Sequence, residues 1–318
     1  MRHTDKYLHT HPAIILLLCL LILIDKASVK AQVYCNVRTF SMNDGLAANL
    51  FSSIGQTRDG LMWFGTWNGL SYFDGYSFTT YRDAPGKMEV LSSNRIFNMQ
   101  PNSNGDLWCI TYDRKLYLFD TGQCKYVSVG QILHDRGESC KAMRDIYPLT
   151  DGYTWIAGEK GCQTNLRIKD HDMQGKEGIT QYKGFTLLKA MLDKFGREWL
   201  FTSKGLKLFG VADFPHFKAC NMADLGNRTW FVSTDGKLAS IGKGEKCLHA
   251  ENIGVRVSTI YDLCSYGQQQ LLIGTDCGLI VFDTRFRKGT LVKLLHPMVM
   301  TQTVKKIFTD SSQDMDVH

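Results

Sequence analysis

Apolar and polar positions along the chain alternate in short bursts, each closed by a glycine-containing turn. From residue 50 to 81 the pattern predicts four strands, Leu50–Gln56, Leu61–Thr66, Gly69–Phe73 and Ser77–Tyr81. They are separated by Asp59-Gly60, Asn68-Gly69 and Asp74-Gly75. Asn-Gly and Asp-Gly supply the positive φ values of tight hairpin turns, so the stretch reads as a four-stranded antiparallel meander.

The same pattern recurs. Gly105-Asp106-Leu107-Trp108-Cys109-Ile110-Thr111 is followed by Leu116–Asp120, and Trp155, Trp199 and Trp230 each lead an apolar burst of the same kind. A sixth copy has Leu272 in place of tryptophan, with Gly278-Leu279-Ile280-Val281-Phe282-Asp283 behind it. The marker positions 63, 108, 155, 199, 230 and 272 are spaced by 45, 47, 44, 31 and 42 residues. Periods of about 40 to 50 residues with strand and turn content are those of β-propeller blades, and the alternation excludes helical solenoids. The fold class is therefore all-β, a β-propeller of four-stranded antiparallel blades, with six complete repeats. The short fourth interval predicts a trimmed hairpin in copy five. Copy three keeps Trp155 and Gly158 but has Gly161-Cys162 where Gly-Leu is expected.

The run from Asn49 to Gly75, with Asp59-Gly60, Trp63-Phe64-Gly65-Thr66 and Gly69-Leu70, resembles the two-component regulator propeller repeat. That family forms the extracytoplasmic sensor of Bacteroidetes-type hybrid two-component receptors, which are histidine kinases fused to response regulators and which sense carbohydrates. The resemblance implies a ligand-sensing propeller that takes a small molecule or an oligosaccharide. It also implies a longer receptor with further propeller, a membrane span and a kinase downstream, working as a homodimer.

The two ends of the chain extend this picture. Residues 1–31 read as a signal peptide: Arg2 and Lys6, an apolar run from Ala13 to Ile24, then small residues ending at Ala31. Twelve apolar residues are too few to span a bilayer, although Lys26 and Lys30 near the cut keep an uncleaved signal anchor open. The propeller repeats then run from 32 to 318. Val33 to Phe40 reads as the outermost strand of an incomplete blade, and Val304 to Thr309 as the innermost strand of a truncated seventh copy. The address implied is exported and periplasmic.

Composition narrows the chemistry. Glycine is abundant at 29 and proline scarce at 6, which suits many short strands joined by tight turns. Outside the leader the charge is close to balanced, without a run of like charges, so nucleic acid is not expected as a partner. Nine cysteines remain beyond Cys19, without a C-x-x-C or a Cys/His cluster of zinc spacing, so neither metal nor cofactor is expected. An odd number leaves at least one thiol unpaired within a monomer. Cys109, Cys264 and Cys277 sit in apolar contexts that suit buried small hydrophobes.

A catalytic constellation is not evident. The Asp-Gly-x-x-Trp stretch is similar to the Asp-box of sialidases but lacks its spacing, a glycosidase needs two facing carboxylates, and the phosphate-binding glycine loop is missing. The chain itself is read as non-enzymatic; the alternative is a secreted glycan-binding or glycan-active propeller. Five of the six tryptophans fill one repeated position and read as packing between sheets. Trp67 lies outside that position, in a turn, and is a candidate ligand contact. Asn49, Asn94, Arg95 and Arg144, with Lys305, are placed near the central channel as polar candidates.

Overall fold

The computed structural model describes residues 40–83, 90–139, 141–159, 161, 163–173, 175 and 177–292. The turn dipeptides fall where the hairpins reverse. The first sheet comprises β1 (Phe51–Gln56), β2 (Met62–Thr66), β3 (Gly69–Phe73) and β4 (Phe78–Tyr81), each within one residue of the strand expected. The second comprises β5 (Ile96–Pro101), β6 (Leu107–Thr111), β7 (Leu116–Asp120) and β8 (Lys125–Ser128). The third comprises β9 (Met143–Pro148), β10 (Tyr153–Gly158), β11 (Thr164–Lys169) and β12 (Ile179–Lys183).

The fourth comprises β13 (Leu187–Leu192), β14 (Glu198–Thr202), β15 (Gly205–Leu208) and β16 (Ala212–Phe214). The fifth comprises β17 (Ala219–Leu225), β18 (Arg228–Ser233), β19 (Leu238–Gly242) and β20 (His249–Glu251). The sixth comprises β21 (Ile260–Tyr266), β22 (Gln270–Thr275), β23 (Gly278–Asp283) and β24 (Lys288–Leu291). In each sheet hydrogen bonding follows chain order, every pair is antiparallel, and first strands lie beside first strands of neighbouring sheets. This is a β-propeller of four-stranded blades.

One expectation is corrected. Sheet five keeps all four strands, so its hairpin is not trimmed. The short interval between Trp199 and Trp230 is taken up in the outer half of sheet four, where β16 has three residues and a Gly210 turn precedes it closely. The alternation also hid a seven-residue helix, α1 (Val129–Asp135), capped by the Ser128 hydroxyl. Val129 and Leu133, one turn apart, bury its inner side. The leader at 1–31, the strand expected at Val33 to Phe40 (apart from Phe40 itself), Val304 to Thr309 with Lys305, Cys140 and Cys162 lie outside the described residues.

The six marker residues occupy one register position, three residues before Thr66, Thr111, Gly158, Thr202, Ser233 and Thr275, which pair with the first residues of the innermost strands. All five tryptophans are buried there. They reach toward the next sheet: Trp63 to Phe119 with ring centroids 5.6 Å apart, Trp155 to Phe209 at 5.2 Å, Trp199 to Phe231 at 4.6 Å and Trp230 to Phe282 at 5.8 Å. Leu272 is half-buried. Four of the five indole N–H groups find acceptors, two on the next sheet: Trp108 donates to Thr154 Oγ1 at 3.1 Å and Trp155 to Glu198 Oε2 at 2.9 Å. Trp230 Nε1 is buried without a partner among the described residues.

The turns from second to third strand repeat in three of the six sheets. In sheets one, four and six a threonine hydroxyl (Thr66, Thr202, Thr275) donates to the carbonyl of a glycine (Gly69, Gly205, Gly278) at 2.6–2.7 Å. These glycines have φ of 109°, 114° and 124°, where a side chain is strained. A Cβ on Gly205 would stand 2.5 Å from the Phe214 carbonyl oxygen of the outer strand. Gly205→Ala is therefore expected to cost about 1–3 kcal/mol, read as a lower urea midpoint at unchanged slope. An unchanged midpoint would remove this account of the turn.

Candidate ligand-binding site

The repeated turn sets one residue at the same place on successive sheets. In five of the six described sheets the backbone N–H following the second strand donates to the segment leading into the first strand: Trp67 to Leu50 at 3.2 Å, Tyr112 to Arg95 at 2.8 Å, Glu159 to Ala142 at 2.9 Å, Ser203 to Thr186 at 3.0 Å and Asp276 to Thr259 at 3.1 Å. Trp67 and Tyr112 are therefore equivalent positions on adjacent sheets. Their ring centroids are 6.3 Å apart, and they are 44% and 55% exposed. The Arg95 guanidinium stands 5.3 Å from the Trp67 ring centroid. Beneath them is an open groove of 480 Å³ lined by Ser52, Trp67, Phe97, Asn98, Tyr112 and Asp145, among others.

The floor of this groove comes from a second repeated device. Every innermost strand carries a β-bulge at the same register position, at Ser52, Phe97, Arg144, Leu188, Cys220 and Tyr261. The residue after each bulge is polar: Ser53, Asn98, Asp145, Lys189, Asn221 and Asp262. A bulge bends the strand and re-aims the side chains beside it. Side chains at and just after the bulges stitch one innermost strand to the next. Ser52 Oγ donates to the Ile96 carbonyl at 2.7 Å, Lys189 Nζ to Asn221 Oδ1 at 2.7 Å, and Asn221 to the Asp262 carboxylate.

The candidates chosen from sequence divide accordingly. Trp67 and Arg95 meet. Arg144 lies on β9 at a bulge, donating to Asp145 and, at 2.9 Å, to the Leu187 carbonyl, so its charge is spent on structure. Burial works against that cation, but Asp145 outweighs it and holds the guanidinium above its ordinary pKa. Asn49 and Asn94 do not lie on the innermost strands. Asn49 accepts from the Met42 N–H at 2.9 Å, and Asn94 pins Asp83 through two bonds of 2.9 Å, so both amides are committed to loops. Of the cysteines expected inside, Cys109 is buried and Cys264 half-buried, whereas Cys277 is exposed in a turn.

Tyr112, Asn98 and Asp145 were missed. Tyr112 follows Thr111 as Trp67 follows Thr66, which was readable from the repeat. The bulge breaks strict alternation, so the polar positions behind it could not be assigned a side. Among the described residues, no three His, Cys, Asp or Glu side chains gather as a metal site requires, and no helix is long and apolar enough to cross a membrane.

Comparison with known proteins gives this geometry a context. Residues 45–68, which contain β2 and the Trp67 turn, match the two component regulator propeller family. Among solved structures, the extracellular domain of the putative hybrid two component system BT3049 from B. thetaiotaomicron is 17% identical, with a TM-score of 0.52 over 86% of this chain and 39% of that one. The corresponding domain of BT4673 from the same organism is 18% identical, with a TM-score of 0.48 over 82% of this chain and 39% of that one. The chain thus spans about two fifths of the length of these solved domains. None of the curated proteins matches it in sequence. The chain carries a two component regulator propeller repeat in the first of the six sheets of its β-propeller.

Proposed function

We propose that this chain is part of an exported, ligand-sensing propeller of two-component signal transduction, and that the groove under Trp67 and Tyr112 takes a carbohydrate. The regulator propeller repeat and the fold shared with the BT3049 extracellular domain support the sensory role, and the leader-like segment 1–31 supports export to the periplasm. In this reading the chain binds and does not turn over its ligand, and a membrane span, further propeller and kinase of a homodimeric receptor read its occupancy.

The observation that carries the carbohydrate reading is the exposed Trp67–Tyr112 pair above Asn98 and Asp145. Sugars present C–H faces that lie on aromatic rings and hydroxyls that need hydrogen-bond partners, and the groove offers both kinds of surface. Calorimetric titration of the full chain with a panel of neutral and uronic-acid oligosaccharides should find a binder. Trp67→Ala should weaken that binder by about 30-fold, the scale of a binding hot spot. Because Trp67 is exposed, the same change should move folding stability by no more than about 0.5 kcal/mol. Wild-type affinity in both Trp67→Ala and Tyr112→Ala would refute the site.

A further inference from the structure

A larger groove lies between the outer strands of sheets four and five, away from the axis. Its volume is 760 Å³, within the range of about 300–1,000 Å³ typical of small-molecule sites. The outer strands β16 and β20, only three residues long, contribute to it. The floor is apolar, built from Phe214, Leu238, Leu248 and Ile253 with Val255 and Val257.

The rim has the opposite character. His216, Lys246 and Arg256 border the groove, all exposed, and none forms an ion pair among the described residues. The two carboxylates of the lining are already engaged: Asp213 with Lys207 at 2.7 Å, and Glu251 with Arg287 at 3.6 Å and the Ser240 hydroxyl at 2.9 Å. Lys237, on the same lining, is paired with Asp235. What remains is an apolar trough edged by the cations Lys246 and Arg256.

We propose that this groove binds an amphipathic organic acid, with its apolar body on the Phe214–Leu238–Ile253 floor and its anionic group at Lys246 and Arg256. Hydrophobic burial supplies affinity without direction, and the cationic rim selects the sign of the head group. The site is separate from the Trp67 groove, so either can exist without the other.

Cys247 lines the groove as an exposed free thiol, while Cys124 and Cys277 are exposed free thiols that do not line it. Alkylation of the full chain by iodoacetamide, resolved by peptide mass spectrometry, therefore reports occupancy with internal controls. Decanoate below its micellar concentration should slow alkylation of Cys247 about tenfold at saturation, a protected fraction of about nine tenths, and leave the other two thiols unchanged. Decyltrimethylammonium, with the same tail and the opposite head, should protect Cys247 little. Lys246→Glu combined with Arg256→Glu should abolish the protection by decanoate. The proposal is overturned by equal protection from both amphiphiles, by uniform slowing of all three thiols, by no protection, or by decanoate protection that survives the double charge reversal.

Discussion

Replacing Trp108 by alanine is expected to remove about 3–5 kcal/mol of stability, the range for deleting a fully buried tryptophan. The indole has no exposed surface and packs in a core that includes Ile146, Ile156 and Leu166 of sheet three, so the cavity opens between two sheets and not within one. Its N–H also leaves behind Thr154 Oγ1 and, at 3.3 Å, Asp170 Oδ1. Burial already holds the Asp170 carboxyl above its ordinary pKa, and the donors around it offset that cost, so removing one adds to the loss. Urea unfolding followed by circular dichroism would measure it. A shift no larger than that of Trp67→Ala would contradict the packing role of the repeated tryptophans.

The second large effect is expected at Asp193, whose side chain is wholly buried and accepts four hydrogen bonds. Oδ1 takes the backbone N–H groups of Phe195 and Arg197 at 2.9 Å; Oδ2 takes Arg197 Nε at 2.6 Å and Trp199 Nε1 at 2.8 Å, while the nearby Thr229 hydroxyl donates to Asp224 at 2.7 Å and accepts from Arg197 at 3.2 Å. The carboxylate thus closes its own turn, anchors the indole of sheet four and holds Arg197 in place. Arg197 continues to the Gly242 carbonyl of sheet five at 2.8 Å. Asp193→Ala strands a guanidinium whose side chain is only 15% exposed and should cost about 3–5 kcal/mol. Asp193→Asn keeps the shape but loses the charge and an acceptor, and should fall between wild type and alanine. Equal midpoints for all three proteins would show that the network contributes nothing net.

The repeats were legible because the residues that make them are local. A glycine with positive φ, a threonine three residues before it and a tryptophan at fixed spacing all act within one hairpin, so sequence spacing carries their geometry. Trp67 was found as an outlier to the repeat, and Arg95 as a polar residue beside an innermost strand. The same reasoning placed Asn49 and Asn94 in the channel, because an asparagine ahead of a strand can either face the axis or tie down a loop. Which occurs depends on how the preceding loop folds back, bringing up Met42 for one and Asp83 for the other. Asn98 and Asp145 were hidden for a related reason: one extra residue in the strand reverses the side on which later residues emerge.

The strand order carries a consequence for how the molecule is made. Among the described residues every hydrogen-bonded strand pair joins neighbours in the chain, so none of the six described sheets waits for a segment synthesised later. A nascent polypeptide can complete each blade as soon as its own stretch of about 40 residues has emerged, paying little loop-closure entropy at each step. Docking of one finished blade on the last, through the tryptophans, then becomes the slower event. This strand order is compatible with vectorial assembly, blade by blade, of the six described sheets.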